Sequence, residues 1–274
     1  MKISSMYKNL QAAGVVAVLA LGISSQASAA PVFTVDPNAA FGALGGPHPG
    51  SFQADFITGN ASTHVGTPGS PNVNAEGWVN LTGFTLNNVS VAPLTSGLGV
   101  NWQMWAEFTY DLKLNTGTYA QLGSTYIVTA LHADFWVDPT SATATTFTAA
   151  TNGGGLASVT HGADSFKIAT ADLINGVADL NAAGGTGFNS TNTFNLLNPA
   201  GTSLFTSPNP FFTIQLDEFN NTSQGVSLDP AGKFITINQA TGGVDFNKVP
   251  EPATLALLGI GLLGIGVSRR RHKA

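Results

Sequence analysis

The chain contains no cysteine, and this absence limits both its stabilisation and its chemistry. Without cysteine there is no disulfide framework, no thiolate nucleophile and no cysteine-ligated metal. Only 9% of the 274 residues are charged, which leaves the surface largely to neutral polar side chains. A folded domain of this chain is therefore stabilised by packing and backbone hydrogen bonds, and not by covalent cross-links.

Basic residues are scarce between the two ends of the chain. Residues 30–249 contain four lysines, 14 acidic residues and no arginine, which gives a formal net charge of −10. Binding to nucleic-acid phosphates requires clustered Lys and Arg. The composition therefore argues against a nucleic-acid partner, and it suits solubility, divalent cations or a basic partner.

The common catalytic motifs are missing too. The sequence has no G-x-S-x-G elbow, no H-E-x-x-H pair and no Walker loop, so we predict a protein that is not an enzyme and has no cofactor. Two alternatives stay open. His132 and Asp134 have the spacing to share one face of a strand as an acid–base or metal pair. His161, Asp164 and Ser165 supply the residue types of a hydrolytic triad within one polar loop.

Calcium is the one metal that the polar residues would suit. Asp217, Glu218, Asn220 and Asn221 supply hard oxygen ligands near the end of a predicted strand. Their pattern matches neither an EF-hand nor a calcium-binding nonapeptide. The alternative is turn chemistry, in which Asp and Asn side chains bond to their own backbone.

Strict alternation of apolar and polar residues gives the clearest structural signal. It runs through residues 100–114, where Trp105 alone breaks the polar face, and it has the period of a half-buried strand. A second alternation, over residues 125–137, places Ile127 with the core-facing residues. Further strands are predicted over residues 52–58, 78–86, 89–93, 193–197, 211–219 and 233–238, and a short helix over residues 170–180.

Clusters of Gly, Pro, Asn and Asp separate these segments and supply turns. Many short strands separated by such turns predict an all-β ectodomain over residues 30–248, built as an antiparallel β-sandwich or a related jelly roll. About 220 residues suffice for one core. Exposed aromatic residues such as Trp105 and Trp136 would let this domain stack on sugar rings, as a carbohydrate-binding module does.

Residues 1–29 have the parts of a secretory signal peptide. Lys2 and Lys8 charge the start, residues 12–23 form an apolar core, and Ala27 and Ala29 supply the small residues of a cleavage site. This predicts export through the Sec translocon and removal of the segment by signal peptidase. A retained anchor helix is the alternative, which the short core disfavours.

Residues 249–274 also have three parts. A proline-rich motif, an uncharged apolar run and a basic cluster follow one another, and these are Pro250-Glu251-Pro252, residues 253–267 and Arg269-Arg270-Arg271. As a helix, the run would cover about 22 Å, which is short for a bilayer core of roughly 30 Å. The arginines would stay on the cytoplasmic side. The segment therefore suits a transient stop in the inner membrane, and an uncleaved tail anchor is the alternative.

This C-terminal arrangement resembles the PEP-CTERM sorting signal. The resemblance implies processing by an exosortase, a membrane-embedded cysteine transpeptidase, during export to the surface of a Gram-negative cell. Residues 52–60, 97–99, 137–139 and 208–212 resemble segments of the flocculation-associated PEP-CTERM proteins. That resemblance implies a surface or extracellular-matrix protein that promotes flocculation or biofilm formation with exopolysaccharide. A carbohydrate-binding module is the alternative function, and a polysaccharide hydrolase using His132 and Asp134 is the third.

Overall fold

The computed structural model describes residues 31–68, 73–139, 145–209, 211–220 and 225–247. The expected signal peptide at residues 1–29 and the expected sorting tail at residues 249–274 lie outside this part of the chain. No helix formed by the described residues is long and apolar enough to cross a membrane.

The secondary structure is mostly strand. In chain order the strands are β1 Phe33–Val35, β2 Phe52–Ala54, β3 Phe56–Pro68, β4 Val73–Leu86, β5 Val89–Ser90, β6 Gln103–Thr116, β7 Ser124–Asp138, β8 Thr146–Thr148, β9 Ser158–Thr160, β10 Phe166–Leu180, β11 Thr186–Asn192, β12 Asn195–Leu196, β13 Phe205–Ser207, β14 Thr213–Asn220, β15 Val226–Leu228 and β16 Ile235–Asn247. The helices are α1 Pro37–Phe41, α2 Pro93–Ser96 and α3 Ala200–Leu204, and a 3-10 helix follows α1 at Gly42–Leu44.

Eight strands form one antiparallel sheet that closes on itself. Around the ring the order is β3, β4, β6, β7, β10, β11, β14 and β16, and β16 pairs again with β3. The pairing of β10 with β11 completes the ring, with Leu180 opposite Thr186. The predicted all-β antiparallel class is confirmed. The strands form a closed barrel, however, in place of the two facing sheets of the predicted sandwich.

The alternation of β6 gives the barrel wall an inner and an outer face. Met104, Ala106 and Phe108 are buried in the core. The side chain of Glu107, between Ala106 and Phe108, points outward. β7 follows the same rule until a bulge, where Asp111 pairs with Ala130 but Leu112 pairs with Val128. One extra residue reverses the direction of the side chains beyond it. Ile127 therefore lies on the outer face, 44% exposed, and its predicted core position is wrong.

The predicted helix over residues 170–180 is also wrong, because these residues form most of β10. Ala171 is buried, whereas Ile174 and Val177 are exposed on the strand. The spacing of these three apolar residues matches one face of a helix. Pairing with β7 and β11 on the two sides of the strand decides the outcome instead.

The hairpin between β4 and β5 follows from its local sequence. Leu86 lies opposite Val89, and the two residues between them, Asn87 and Asn88, have φ angles of 54° and 62°. Asn tolerates this left-handed region better than most residues, and a two-residue hairpin turn requires it twice. The carboxylate of Asp55 accepts the backbone N–H of Asn87 at 2.5 Å, which fixes the turn against the barrel.

An aromatic cluster extends the core beyond one end of the barrel. The small sheet of β13, β1 and β2 lies there, and the ring centroids of Phe33 and Phe246 are 4.6 Å apart. Phe205 packs on Phe33 at 6.0 Å. Burial of each such side chain stabilises the fold by about 1.5–3 kcal/mol. The first and last strands of the described chain therefore meet at the same end.

Residues 145–165, which we call the flap, cross the outer face of the barrel. They contain β8 and β9, which form an antiparallel hairpin. Phe147 of β8 packs on Trp78 of β4 with 5.1 Å between ring centroids, and Trp78 Nε1 donates a hydrogen bond to the Thr148 carbonyl at 2.9 Å. Part of the outer face is thereby buried.

Buried polar groups attach the flap to the barrel. The Ala150 N–H donates to Ser62 Oγ at 2.9 Å, and Asn238 Nδ2 donates to the Ala150 carbonyl at 2.8 Å. At the start of the flap, Asp138 accepts hydrogen bonds from the N–H and the hydroxyl of Thr145, both at 3.0 Å. Such paired polar groups define one position for the segment, because any shift would leave them unpaired.

Candidate functional site

The predicted pair His132 and Asp134 lies on the outer face of β7, and β10 adds two charged partners. His132 Nε2 is 3.2 Å from Asp134 Oδ1, and His132 Nδ1 is 2.7 Å from Asp172 Oδ1. Lys167 Nζ lies 2.6 Å from the other oxygen of Asp134. The sequence analysis missed Asp172, because only the register of β7 against β10 places it opposite His132.

The charges around His132 favour its protonated form. The hydrogen bond to Asp172 raises the pKa of His132 above its usual value, and the charges of Asp134 and Asp172 act in the same direction against partial desolvation. The side chains of His132 and Asp172 are 52% and 56% exposed, so water screens much of this attraction. In the part of the chain that the structure describes, no three His, Cys, Asp or Glu side chains form a metal-binding group.

A cleft of about 520 Å³ opens beside His132 on the outer face. It spans β3, β4, β6 and β7, and Leu156 of the flap lies at one side. Its polar lining residues are His64, Asn74, Glu76, Thr109, Asp111 and His132. Sheet register brings them together, because His64 is opposite Glu76, Glu76 opposite Thr109 and Thr109 opposite His132. These four residues are far apart in the sequence, so the sequence alone does not show that they are neighbours.

Three side chains of the cleft have defined positions. Asn74 Nδ2 donates a hydrogen bond of 2.7 Å to Asp111 Oδ1, which orients the carboxylate. His64 is only 9% exposed and packs on the ring of Phe234, and its buried Nδ1 has no hydrogen-bond partner among the described residues. An unpaired buried polar atom costs about 1–3 kcal/mol. Lys and Arg are missing from the described lining, so Glu76 and Asp111 give the cleft a negative charge.

The second predicted site, Trp105 and Trp136, has one buried member. The two residues are paired across β6 and β7, with ring planes 8° apart and centroids 6.5 Å apart. Trp105 is fully buried beneath the flap, against Phe147 and His161. Its predicted exposure is wrong, because the alternation of β6 contains no sign of the segment that covers it. Trp136 is partly exposed, and Lys167 Nζ lies 5.3 Å from its ring centroid.

His161 attaches the flap to the barrel wall. Its Nε2 is 2.6 Å from Glu107 Oε1, and the same oxygen accepts a hydrogen bond of 3.0 Å from Trp105 Nε1. Ser165 Oγ, another residue of the predicted loop triad, lies 3.2 Å from Thr145 Oγ1. His161 thus holds the flap on the barrel, whereas Ser165 joins the two ends of the flap to each other.

The residues proposed for calcium lie within a strand. Asp217, Glu218 and Asn220 belong to β14, which pairs with β11 on one side and with β16 on the other. Asn221 falls outside the described residues. A calcium site at these positions stays a prediction.

The fold and the cleft define an all-β barrel protein with a groove on its outer face that is lined in part by acidic side chains. Residues 248–271 match the family model of the PEP-CTERM protein-sorting motif, so this segment of the chain carries that motif. The match confirms the resemblance of the tail, and it includes Pro250, Glu251 and Pro252. The motif indicates exosortase-dependent sorting to the cell surface or the extracellular space. No curated protein and no solved structure matches the chain.

Proposed function

We propose that this protein is a non-enzymatic surface or extracellular-matrix protein that promotes cell aggregation through contacts with exopolysaccharide. The sorting motif at residues 248–271 carries the proposal, because it directs the chain to the place where cells meet the matrix. The resemblance of four ectodomain segments to flocculation-associated proteins supports the aggregation role. The producing cell would be a Gram-negative bacterium, in which the chain crosses the inner membrane through the Sec translocon and loses residues 1–29 to signal peptidase.

Weak contacts suffice for this role when many copies act together. A surface displaying many copies binds a repetitive polymer at many points, and the combined avidity exceeds the affinity of one site by orders of magnitude. The closed barrel suits such exposure outside the cell, because each of its eight strands pairs on both sides. Paired edges do not offer a template for unwanted strand addition.

Removal of the tail tests the proposal. A chain lacking residues 249–274, expressed in a native strain without the full-length protein, should be lost from the cell surface and should fail to restore aggregation. Circular dichroism of the released protein should still show the β-rich spectrum. A truncated chain that decorates cells and restores aggregation would contradict the sorting role of the tail.

Intact-mass measurement provides the matched control. Protein recovered from cells that contain the exosortase should begin at Ala30 and end near Pro250. Protein from cells without the enzyme should keep the tail. The full tail in both strains would show a simple membrane anchor instead.

A carbohydrate-binding module is the second candidate, and the outer-face cleft is the observation that favours it. The third is a polysaccharide hydrolase that uses His132 and Asp134. It predicts release of reducing sugars from exopolysaccharide, with loss of this activity in His132→Ala. We favour the binding role because Asp172 and Lys167 already engage this pair in ion pairs.

A further inference from the structure

We infer that the outer-face cleft binds a non-acidic sugar unit, with Glu76 and Asp111 accepting hydrogen bonds from its hydroxyl or amino groups. The inference rests on the proposed function and deepens it, since it names the class of polysaccharide and the residues that contact it. Three properties of the cleft support it, namely its size, its acceptor carboxylates and its charge.

The size of the cleft matches a small polar ligand. Its volume of about 520 Å³ falls within the range of roughly 300–1,000 Å³ that small-molecule sites occupy. The wall combines polar side chains with apolar surface, to which Leu156, 53% exposed, contributes. A sugar ring presents both kinds of surface, because its hydroxyl groups lie around an apolar C–H face. One or two linked rings would fill such a cleft.

One acceptor carboxylate is oriented before any ligand arrives, and the backbone that carries the other is fixed. Asn74 orients the carboxylate of Asp111, and Glu76 lies on a strand that is paired on both sides, opposite His64 and Thr109. Groups already ordered lose little conformational entropy on binding. His64 adds a side chain that is nine-tenths buried, lines the cleft and has an unpaired nitrogen. That nitrogen has no exposed surface, so His64 contributes the shape of the cleft wall and not a hydrogen bond through this atom.

The charge of the cleft decides which sugars fit. Glu76 and Asp111 line it, and the described lining contains no Lys or Arg. The positive charge of protonated His132 is offset by Asp172 and Asp134, and Asp134 also pairs with Lys167. A uronic acid or a phosphorylated sugar would bring a like charge to these carboxylates, and like-charge contacts are unfavourable. Neutral hydroxyl groups donate to carboxylates without this cost, and an ammonium group adds attraction.

A charge series of oligosaccharides tests the inference. The full-length protein is titrated calorimetrically, at low salt and mildly acidic pH, with tetrasaccharides of glucosamine, glucose and galacturonic acid. We expect the affinity to fall in that order, with at least about a tenfold difference between the first and the last. Galacturonate binding as tightly as glucosamine would overturn the inference, as would failure of all three to bind.

Variants then locate the site. Glu76→Gln and Asp111→Asn should each weaken glucosamine binding about tenfold, because a charge-assisted hydrogen bond becomes a neutral one. The amide oxygen at position 111 can still accept from Asn74, so this variant keeps the local structure. Asp36→Asn is the matched control, since it removes one charge at the N-cap of α1, outside the cleft lining, and Asn also caps helices well. Unchanged affinity in both cleft variants would place the sugar elsewhere.

Aggregation assays separate this inference from the proposed function. A strain lacking the whole protein tests the function, and normal aggregation of that strain would refute the role whatever the cleft binds. Loss of aggregation in that strain, together with full restoration by the Glu76→Gln/Asp111→Asn double variant, would refute the cleft and leave the function intact.

Discussion

Trp105 and Trp136 lie side by side on adjacent strands with nearly parallel rings, yet the flap covers one and leaves the other partly open. Trp105 is enclosed by Phe147 and His161 in addition to its partner. The pair therefore joins the barrel wall to the flap. Its energetic role is that of a second, smaller core outside the barrel.

Replacement of Trp105 should destabilise the protein strongly. Trp105→Ala would leave a cavity under the flap and remove the donor to Glu107, at an expected cost of about 3–5 kcal/mol in the free energy of unfolding. Urea denaturation of the purified protein measures this change. Leu94→Ala is the control, because Leu94 is 85% exposed and its loss should change stability by less than about 0.5 kcal/mol. Equal effects of the two substitutions would contradict the buried position of Trp105.

The titration of His132 should depend on Asp172 more than on Asp134. The hydrogen bond to Asp172 is the largest cause of the raised pKa of His132. In an NMR titration, Asp172→Asn should lower this pKa towards the usual value of about 6.5, and Asp134→Asn should lower it less. A larger effect of Asp134→Asn would show that the Asp172 contact does not form in solution.

The same group makes stability depend on pH. The pKa of His132 is higher in the folded protein, so protonation stabilises the fold. This contribution is complete below about pH 6.5 and is lost as the pH rises through the folded-state pKa. Because both partners are more than half exposed, we expect less than about 1 kcal/mol. The difference between wild type and Asp172→Asn in urea denaturation should shrink as the pH rises, and a growing difference would refute the sign.

Asp138 should control the mobility of the flap. It is fully buried and accepts two hydrogen bonds from Thr145. Asp138→Ala would leave a buried N–H without its acceptor, at a cost of about 1–3 kcal/mol. Hydrogen exchange at residues 145–150 should become faster, while exchange in the barrel strands changes less. Asp36→Asn is the control variant, and amide hydrogen exchange in its flap should match that of the wild type.

Gly77 should not tolerate a side chain. A Cβ at this position would meet the Ser62 carbonyl of the neighbouring strand and lie 2.8 Å from the ring of Phe108. Gly77→Ala should therefore lower the free energy of unfolding by about 1–3 kcal/mol, as overpacked cores do. Gly50→Ala is the matched substitution, since nothing lies within 4 Å of its Cβ position, and it should leave the melting temperature nearly unchanged. A neutral effect at both positions would contradict the close approach of β3 and β4.

Individual strands were predictable wherever the alternation was clean. β7 spans Ser124–Asp138, against the predicted residues 125–137. β6 begins at Gln103, later than the predicted residue 100, because the backbone N–H of Val100 bonds back to the Gly97 carbonyl in a turn. Alternation of residue types continues through that turn, and a sequence pattern cannot separate the two.

Closure of the barrel was not predictable, because it depends on the two least regular strands. β10 has apolar residues on both faces, and β11, with the sequence TGFNSTN, has few apolar residues. Their pairing converts an open sheet into a ring. The cleft has the same origin. The spacing of His132 and Asp134 in one strand was visible in the sequence, but Glu76, Asp111 and Asp172 join them only through the register of neighbouring strands.

The contact between Phe33 and Phe246 also gives the barrel a polarity. The sorting segment continues from the strand that ends beside this contact, and Phe56 pairs at that end with Asp245. His64 lies eight residues further along β3, which corresponds to about 26 Å at 3.3 Å per residue. The cleft is thus offset from the end of β16 by about two-thirds of the length of β3. With the sorting segment at one end of the barrel and the proposed sugar site displaced towards the other, a bound polymer would lie clear of the surface that anchors the protein.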